Sequence, residues 1–214
     1  MESLTLAYSY YADVFHGYAE DANEWVRQGL EAGERAVELD ETDYFSHFVL
    51  GRVLALSGQG DRAISELERA LALNPSYARG YLGLGTAQSW YGRAADAIPN
   101  LNMAMRLSPN DPVLWGMLMN RASCFNNLED YEDAEHDARR AINMRPRHFG
   151  GQTLLAVALV GQDRMDEAQE AVAELRRVSP DFTLSKYRHI RPYVHSEYRQ
   201  RSIDALRKAG LPDE

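Results

Sequence analysis

The residues of this 214-residue chain with the most obvious capacity for chemistry are histidines, a cysteine and a run of acidic side chains. The six histidines show neither the HExxH spacing nor the paired spacing of zinc ligands. They are His16, His47, His136, His148, His189 and His195. The sequence Glu129-Asp130-Tyr131-Glu132-Asp133 lacks the ligand spacing and the glycine of a calcium loop. Acidic residues at the start of a helix favour the positive end of its dipole, and this is the preferred interpretation. We therefore expect no metal and no cofactor.

Nucleophilic and nucleotide-dependent catalysis also lack a sequence basis. Cys124 stands beside Phe125 in a predicted helix, where a buried, apolar thiol is the default. The chain contains no phosphate-binding P-loop, no GxGxxG after a strand and no G-x-S-x-G elbow. The sequence thus predicts a binding protein without enzyme activity of its own.

Composition limits the partners and the compartment. A net charge of −9 argues against non-specific binding to nucleic acid or to anionic membranes, both of which need clustered positive charge. Residues 1–20 include Asp13, His16 and Glu20 and lack the pattern of a signal peptide. No apolar stretch approaches the roughly 20 residues of a membrane span. A single cysteine suits a reducing compartment. We expect a soluble cytoplasmic protein, with self-association left open.

The elements that must position any binding residues come from a repeat. Residues 44–109 contain one pattern twice, 34 residues apart. The copies are His47-x2-Leu50-Gly51-x2-Leu54, Ala63-x3-Leu67, Ala70, Pro75 and Tyr81-x2-Leu84-Gly85-x2-Gln88, Ala97-x3-Leu101, Ala104, Pro109. Gly51 has no side chain, so a second helix carrying Ala63 can pack closely against the first. Pro75 ends that second helix, because proline cannot continue it.

This pattern resembles the tetratricopeptide repeat, a helix–turn–helix unit of 34 residues. The resemblance implies an all-α, right-handed superhelix of about five units with a capping helix. The predicted repeats cover residues 4–41, 44–75, 78–109, 111–146 and 149–180, which together form an array over 1–180. Residues 181–214 are predicted to form the C-terminal helical cap, in which Ser196 or His195 starts the last helix and Gly210 and Pro212 end it.

Three places depart from the regular repeat. In the first unit, a helix is predicted from Glu24 to Leu39, and Gly29 and Gly33 indicate close packing of tyrosine side chains over them. Pro99 falls inside the second helix of the third repeat, where a kink is expected if that helix begins near Ala94 or Ala95. The fourth repeat is three residues longer, and the insertion is predicted around Pro112 to Trp115.

The resemblance also implies where a partner binds. First helices of successive repeats line the concave face, and the residue after each packing glycine or alanine, with those one turn away, should face the groove. The predicted groove residues are Asp13, Phe48, Arg52, Leu82, Thr86, Trp90, Met119, Ser123, Asn126 and Asn127. Arg and Trp often dominate interface energies, which favours Arg52 and Trp90. Alternatively, Trp90 only packs at the turn into Tyr91-Gly92.

Chaperone-tail-binding members of this family hold a carboxylate in a lysine–asparagine clamp. The matching positions here carry Phe48, Arg52 and Thr86, of which only Arg52 can bind a carboxylate. The chain is therefore not expected to bind a chaperone tail.

A second resemblance rests on four short sequence segments. They are Arg69-Ala-Leu-Ala-Leu-Asn-Pro75, Met105 to Pro112, Ser179-Pro-Asp-Phe182 and Leu206 to Pro212. It is similar to C-terminal repeat regions of bacterial class III adenylate/guanylate cyclase-like proteins and winged-helix regulators. Two functions follow. The first is a protein–protein interaction scaffold that binds a peptide or helix of a partner in the groove. The second is the regulatory region of a bacterial signalling protein, a nucleotide cyclase or transcription regulator, lacking its effector domain.

Overall fold

The computed structural model describes the backbone of residues 2–16, 21–190 and 196–214, and the side chains of 4–12, 21–188 and 197–214. Within these ranges the chain forms twelve α-helices and no β-strand, which confirms the predicted all-α class. The helices are α1 (Glu2–His16), α2 (Ala22–Leu39), α3 (Tyr44–Leu56), α4 (Gly60–Leu73), α5 (Ala78–Trp90), α6 (Ala94–Leu107), α7 (Leu114–Asn127), α8 (Tyr131–Met144), α9 (Phe149–Gly161), α10 (Met165–Val178), α11 (Leu184–Ile190) and α12 (Ser196–Lys208). No helix in the described ranges has both the length and the apolar character needed to cross a bilayer.

Helix starts follow from capping side chains. Asp21 accepts hydrogen bonds from the backbone amides of Asn23 and Glu24, both at 3.1 Å, so α2 begins two residues before the predicted Glu24. Asp43 caps α3 in the same way through the amides of Phe45 and Ser46. These carboxylates satisfy amides that lack an intrahelical partner. The end of α2 at Leu39 is the predicted one.

The chain divides into two compact units, residues 1–88 and 89–214. In the first unit α1 packs on α2 and α3 packs on α4, as two helix–turn–helix pairs, while α2 also packs on α3. A Cβ atom added at Gly51 would lie 2.7 Å from Leu67 Cγ and 3.1 Å from the Ala63 carbonyl oxygen. The close helix contact predicted at Gly51 is therefore confirmed, because no side chain fits there.

The glycines of α2 have a related but different role from the predicted one. A Cβ at Gly29 would lie 3.3 Å from Tyr10 Cβ, and also 3.1 Å from Val53 Cγ1 of α3. At Gly33 the neighbour is Leu50 of α3, at 3.2 Å. The predicted packing of a tyrosine is therefore found only at Gly29, where Val53 is an additional neighbour. Both glycines bring α2 close to the next pair of helices.

The second unit contains the pairs α7–α8 and α9–α10, with α6 packed on α7 and α8 on α9. Helix α9 is buried continuously from Gly150 to Leu159, as expected for a helix with neighbours on every side. Helices α11 and α12 pack on this region, since Leu184, Ile203 and Leu206 join the same apolar cluster as Leu159. The division into an array over 1–180 and a cap over 181–214 remains a prediction.

Two irregularities of the repeat are a proline inside α6 and a longer connection between α6 and α7. Helix α6 begins at Ala94 and includes Pro99. The connection from α6 to α7 covers residues 108–113, whereas that from α4 to α5 covers only 74–77. Asp111 is buried in the longer connection and accepts a hydrogen bond from the Val113 amide at 2.9 Å. The insertion thus lies immediately before α7, close to its predicted place.

Candidate functional site

Arg52 of α3 lies at the centre of an aromatic cluster in the first unit. Its guanidinium donates a hydrogen bond to the Tyr11 hydroxyl, and its Cζ lies 4.7 Å from the centroid of that ring. Phe48, one turn earlier, stacks on Phe45 at 5.8 Å and meets Tyr77 edge-on at 5.1 Å. We call these five residues the Arg52 cluster. Arg52 and Phe48 are only 8% and 6% exposed, so both predicted groove side chains are packed within the chain.

Burial controls the electrostatics of this cluster. Desolvation lowers the pKa of Arg52 to about 10, because the charged guanidinium loses water, while the neighbouring Tyr8 and Tyr77 oppose the shift. Desolvation likewise raises the pKa of Tyr77 above its ordinary value. At neutral pH the cluster therefore contains a fixed cation beside the neutral phenol of Tyr77, and the cation lies over the Tyr11 ring in a cation–π contact.

The predicted groove residues of α5 lie beside this cluster. A Cβ at Gly83 would be 3.1 Å from Phe48 Cε2 and 3.3 Å from Arg52 Cδ, so α5 approaches α3 closely between Leu82 and Thr86. Leu82 is half-buried. Thr86 is buried and donates its hydroxyl hydrogen bond to the Leu82 carbonyl oxygen at 2.7 Å. The structure thus brings Phe48, Arg52 and these two residues to adjacent helices.

A second group of predicted residues lies on α7. Met119, Ser123 and Asn126 are buried, and Asn127 is half-buried. Asn126 links α7 to α9 by donating to the Leu154 carbonyl oxygen at 3.0 Å. Its side-chain oxygen, although buried, has no hydrogen-bond partner within the described residues.

Helix α12 contacts this α7 group through residues that the sequence did not single out. The hydroxyls of Tyr198 and Ser123 are 3.3 Å apart. Arg201 donates to the Asn127 carbonyl oxygen at 2.8 Å and to the Asn127 side-chain oxygen at 3.2 Å, and it forms an ion pair with Glu129. We call Ser123, Asn127 and Glu129 the α7 contact site. Ser123 and Tyr198 are 75 residues apart, and no local pattern predicts such a contact.

The structure does not decide the role of the two remaining predicted groove residues, Trp90 and Asp13. Trp90 is the half-buried last residue of α5, followed by Gly92 at φ +79°. Both interpretations of Trp90 stay open. Asp13 lies on α1, outside the residues whose side chains the structure describes. The Arg52 cluster belongs to the first unit and the α7 contact site to the second, so we treat them as two separate candidate sites.

The cysteine, the histidine and the acidic residues considered for catalysis or metal binding occupy positions that stabilise the fold. Cys124 is buried, as predicted. His47 lies between α3 and α4, with Nδ1 2.6 Å from Glu66 Oε2 and Nε2 3.0 Å from the Glu41 carbonyl oxygen. Glu132 and Asp133 occupy the first turn of α8, the position expected from the helix dipole. Within the described residues, no three His, Cys, Asp or Glu side chains group as metal ligands would.

The paired helices and the repeat spacing define a helical-repeat protein. Tetratricopeptide-repeat family models match residues 54–121 and 120–181, and the chain belongs to the tetratricopeptide repeat family. This is a family of repeat scaffolds that typically lack enzyme activity.

Particular relatives share either a segment or the fold. The chain is 29% identical over 84 residues to the Cell division cycle protein 27 homolog of Caenorhabditis elegans, a match over 39% of this chain and 11% of that protein. MamA (41 to end) from Desulfovibrio magneticus RS-1 has a TM-score of 0.66 at 16% identity, covering 82% of this chain and 96% of that one. YrrB, a TPR protein with an unusual peptide-binding site, has a TM-score of 0.59 at 20% identity, covering 84% and 91%. These two likenesses establish the fold alone.

Proposed function

We propose that this protein is an interaction scaffold that binds a peptide or helix of a partner protein through the first helices of its repeats. One observation carries the proposal. Ser123 and Asn127, which were selected as partner-binding residues from the repeat pattern, are in contact with a helix, α12 of the same chain. A surface that holds one helix through hydroxyl, amide and carbonyl groups has the chemistry to hold another. The peptide-binding site of YrrB supports the same class of function.

The proposed site in the first unit, the Arg52 cluster, suits an extended peptide rather than a helix. Arg52 supplies a fixed cation, which the buried rings of Phe48 and Tyr11 enclose, and half-buried Tyr77 supplies the aromatic surface that a peptide can reach. A fixed cation beside aromatic side chains fits an extended peptide bearing a carboxylate or an acidic residue. A single, buried cysteine, Cys124, suits a reducing compartment, and we propose a cytoplasmic location.

The experiment is affinity capture from the native cytoplasm, followed by calorimetry with the partner identified. Trp90→Ala and Arg52→Ala should each weaken binding by about 1–2 kcal/mol, the scale of interface hot spots. Arg69→Ala is the matched control, because Arg69 is exposed on α4, the second helix of its pair. It should leave the affinity unchanged.

Stability must be measured alongside affinity, because Arg52 is buried and its removal also disturbs the fold. Trp90→Ala is therefore the more discriminating variant. Loss of stability with unchanged affinity in both variants would place the site elsewhere. Capture of no partner by the wild-type chain would contradict the scaffold function itself.

The regulatory region of a nucleotide cyclase or winged-helix regulator remains the alternative from the sequence. None of the relatives named above is called a cyclase or a transcription regulator. No contact in the described residues favours this alternative over the scaffold. An effector domain encoded upstream of Met1 would be the observation that supports it.

A further inference from the structure

We propose that the second unit contains a further binding site, a cavity between α6, α7 and α8 that accepts a short acidic peptide segment of a partner protein. The cavity has a volume of about 450 Å³. Three arginine side chains line it, Arg106 of α6, Arg121 of α7 and Arg140 of α8. We call it the arginine cavity. The inference goes beyond the proposed function, because it assigns a second partner surface apart from the predicted groove residues.

The arginine cavity lies on the opposite face of α7 from the α7 contact site. Leu114 and Arg121 of α7 both line the cavity. With about 3.6 residues per turn, these two side chains project within roughly 20° of each other, whereas Ser123 projects about 160° away from Arg121. The contact of α12 with Ser123 therefore leaves the cavity accessible, and both surfaces of α7 can be occupied at the same time.

Arg121 is held in a fixed position in the wall of the cavity. Its Nε and Nη2 donate to the Asp137 carboxylate at 2.6 and 2.8 Å, and its Nη1 donates to the side-chain oxygen of Asn102. Asn102 is exposed and also lines the cavity, where its amide is a further hydrogen-bond donor. A guanidinium that is already positioned loses little side-chain freedom when a ligand binds beside it.

Positive charge is in excess in the cavity. The buried Asp137 balances Arg121, and its distance to Arg140 is 4.0 Å. Arg106 is exposed, donates to Met103 Sδ at 2.9 Å, and forms no ion pair with a carboxylate among the described residues. One carboxylate thus faces three guanidinium groups, which are the side chains best suited to bind a further carboxylate.

The charge of the whole chain limits what this cavity accepts. A net charge of −9 opposes a long polyanion such as nucleic acid. It also opposes a phosphate group, with nearly two negative charges, more than a carboxylate with one. A short segment with one or two acidic side chains can use the local arginines without this opposition, and it is the occupant that the charges favour.

Apolar side chains beside the arginines favour a peptide over a free anion. Met105 and Leu114 line the same cavity, and both are half-buried and packed against the apolar cluster of the second unit. They present a fixed apolar surface that a hydrated ion gains nothing by covering. A peptide in which an apolar residue stands next to an acidic one would contact both kinds of wall.

The corresponding cavity one repeat later shows that these charges are not a general property of the repeat. It lies between α8, α9 and α10, has a volume of about 330 Å³, and is lined by Glu167, Glu170 and Glu174. Arg139 also lines it and forms an ion pair with Glu167 at 3.5 Å. Glu174 follows Arg140 by 34 residues, so an acidic side chain occupies the equivalent position in the next repeat.

The test uses the full chain and a fluorescent peptide in which two glutamates flank a leucine between glycine–serine ends, with both termini capped. Anisotropy measures binding. Arg106→Gln and Arg140→Gln should each weaken it about tenfold, because each variant loses a charge-assisted hydrogen bond. The same peptide with glutamines in place of the glutamates should bind the wild type about a hundredfold more weakly, because it loses both carboxylates.

Arg139→Gln is the matched control, since it removes the same charge from the neighbouring position of α8, which lines the other cavity. It should leave the affinity unchanged. Absence of binding by the glutamate peptide, or equal affinity in the wild type, Arg106→Gln and Arg140→Gln, would overturn the proposal. Tighter binding of a phosphoserine version would overturn the assignment of a carboxylate. Displacement by inorganic phosphate at the concentration at which unlabelled peptide displaces would overturn the assignment of a peptide.

This outcome is separable from that of the scaffold function, because Arg106 and Arg140 are not among the predicted groove residues. A captured partner together with a glutamate peptide that does not bind would reject the arginine cavity alone. Peptide binding that is lost in Arg106→Gln and retained in Trp90→Ala, without any captured partner, would reject the groove as the partner site and leave the cavity established.

Discussion

At the scale of single residues, the ion pair between Arg121 and Asp137 is the polar contact with the largest expected effect on stability. Arg121 Nε and Nη2 donate to the two Asp137 carboxylate oxygens at 2.6 and 2.8 Å, joining α7 to α8. The Asp137 side chain is only 1% exposed, against 19% for Arg121. Hydrogen bonding to Asp137 raises the pKa of Arg121 above its ordinary value. The Arg121 guanidinium therefore stays charged at any physiological pH.

Arg121→Met should lower the free energy of unfolding by about 3–5 kcal/mol, because it removes both hydrogen bonds to the buried Asp137 carboxylate and leaves it only Arg140, 4.0 Å away. Urea denaturation followed by circular dichroism measures this loss. Arg177→Met is the control, since Arg177 is 72% exposed in its pair with Glu174, and surface changes usually stay within about 0.5 kcal/mol. Similar losses in the two variants would show that burial of Asp137 is not the cause.

Two glycines should respond in opposite directions. Gly51→Leu should lower the free energy of unfolding by about 1–3 kcal/mol, because even a Cβ would lie 2.7 Å from Leu67 Cγ. Gly116→Ala, in α7, should raise it by up to about 1 kcal/mol, because a Cβ there meets nothing within 4 Å and alanine favours helix. Thermal melting of both variants provides the measurement. A Gly51→Leu chain as stable as the wild type would contradict the packing of α3 on α4.

The sequence allowed Gly51 to be predicted but not the surroundings of Arg52. Gly51 follows from local spacing, since its contacts Ala63 and Leu67 lie on the next helix of the same repeat. Arg52 was expected to face an open groove, whereas Tyr11, 41 residues away, covers it. A repeat pattern predicts which face a residue occupies. It does not predict how large side chains of another repeat fill the space in front of that face.

At the scale of elements, α12 shows the same limit. Its bounds were predictable, because Gly210 at φ +92° and the bonds from Gly210 to Arg207 and from Leu211 to Leu206 form the glycine-terminated helix end that the sequence indicates. Its contact with α7 was not predictable, because a helix that returns to an earlier repeat follows no period. The sequence therefore predicted the last helix but missed the surface that it contacts.

Deletion of residues 181–214 should cause association, because the chain would lose Phe182, Leu184, Ile203 and Leu206 from the apolar cluster and uncover α9. Light scattering during size-exclusion chromatography measures the mass. Leu206→Glu should act in the same direction, since Leu206 is fully buried, whereas Lys208→Glu changes only an exposed position. A deleted chain that remains monomeric and equally stable would contradict the role of the tail as a cap.

At the scale of the whole molecule, charge determines which polymers are excluded as partners. With a net charge of −9, the chain should not bind duplex DNA appreciably at physiological salt, because counterion release requires clustered basic residues. Anisotropy of a labelled duplex, measured at low and physiological salt, checks this expectation. A salt-sensitive complex in the micromolar range would contradict it and would direct attention to the arginines of the last two helices.

The return of α12 to α9 also affects synthesis of the protein on the ribosome. Helix α9 leaves the exit tunnel before α12, whose Ile203 and Leu206 belong to the same apolar cluster and later cover part of its surface. During that interval the nascent repeat presents an uncovered apolar face to the cell, as chains do before their later segments arrive. Any delay between the emergence of α9 and that of α12 should therefore increase the demand for chaperones.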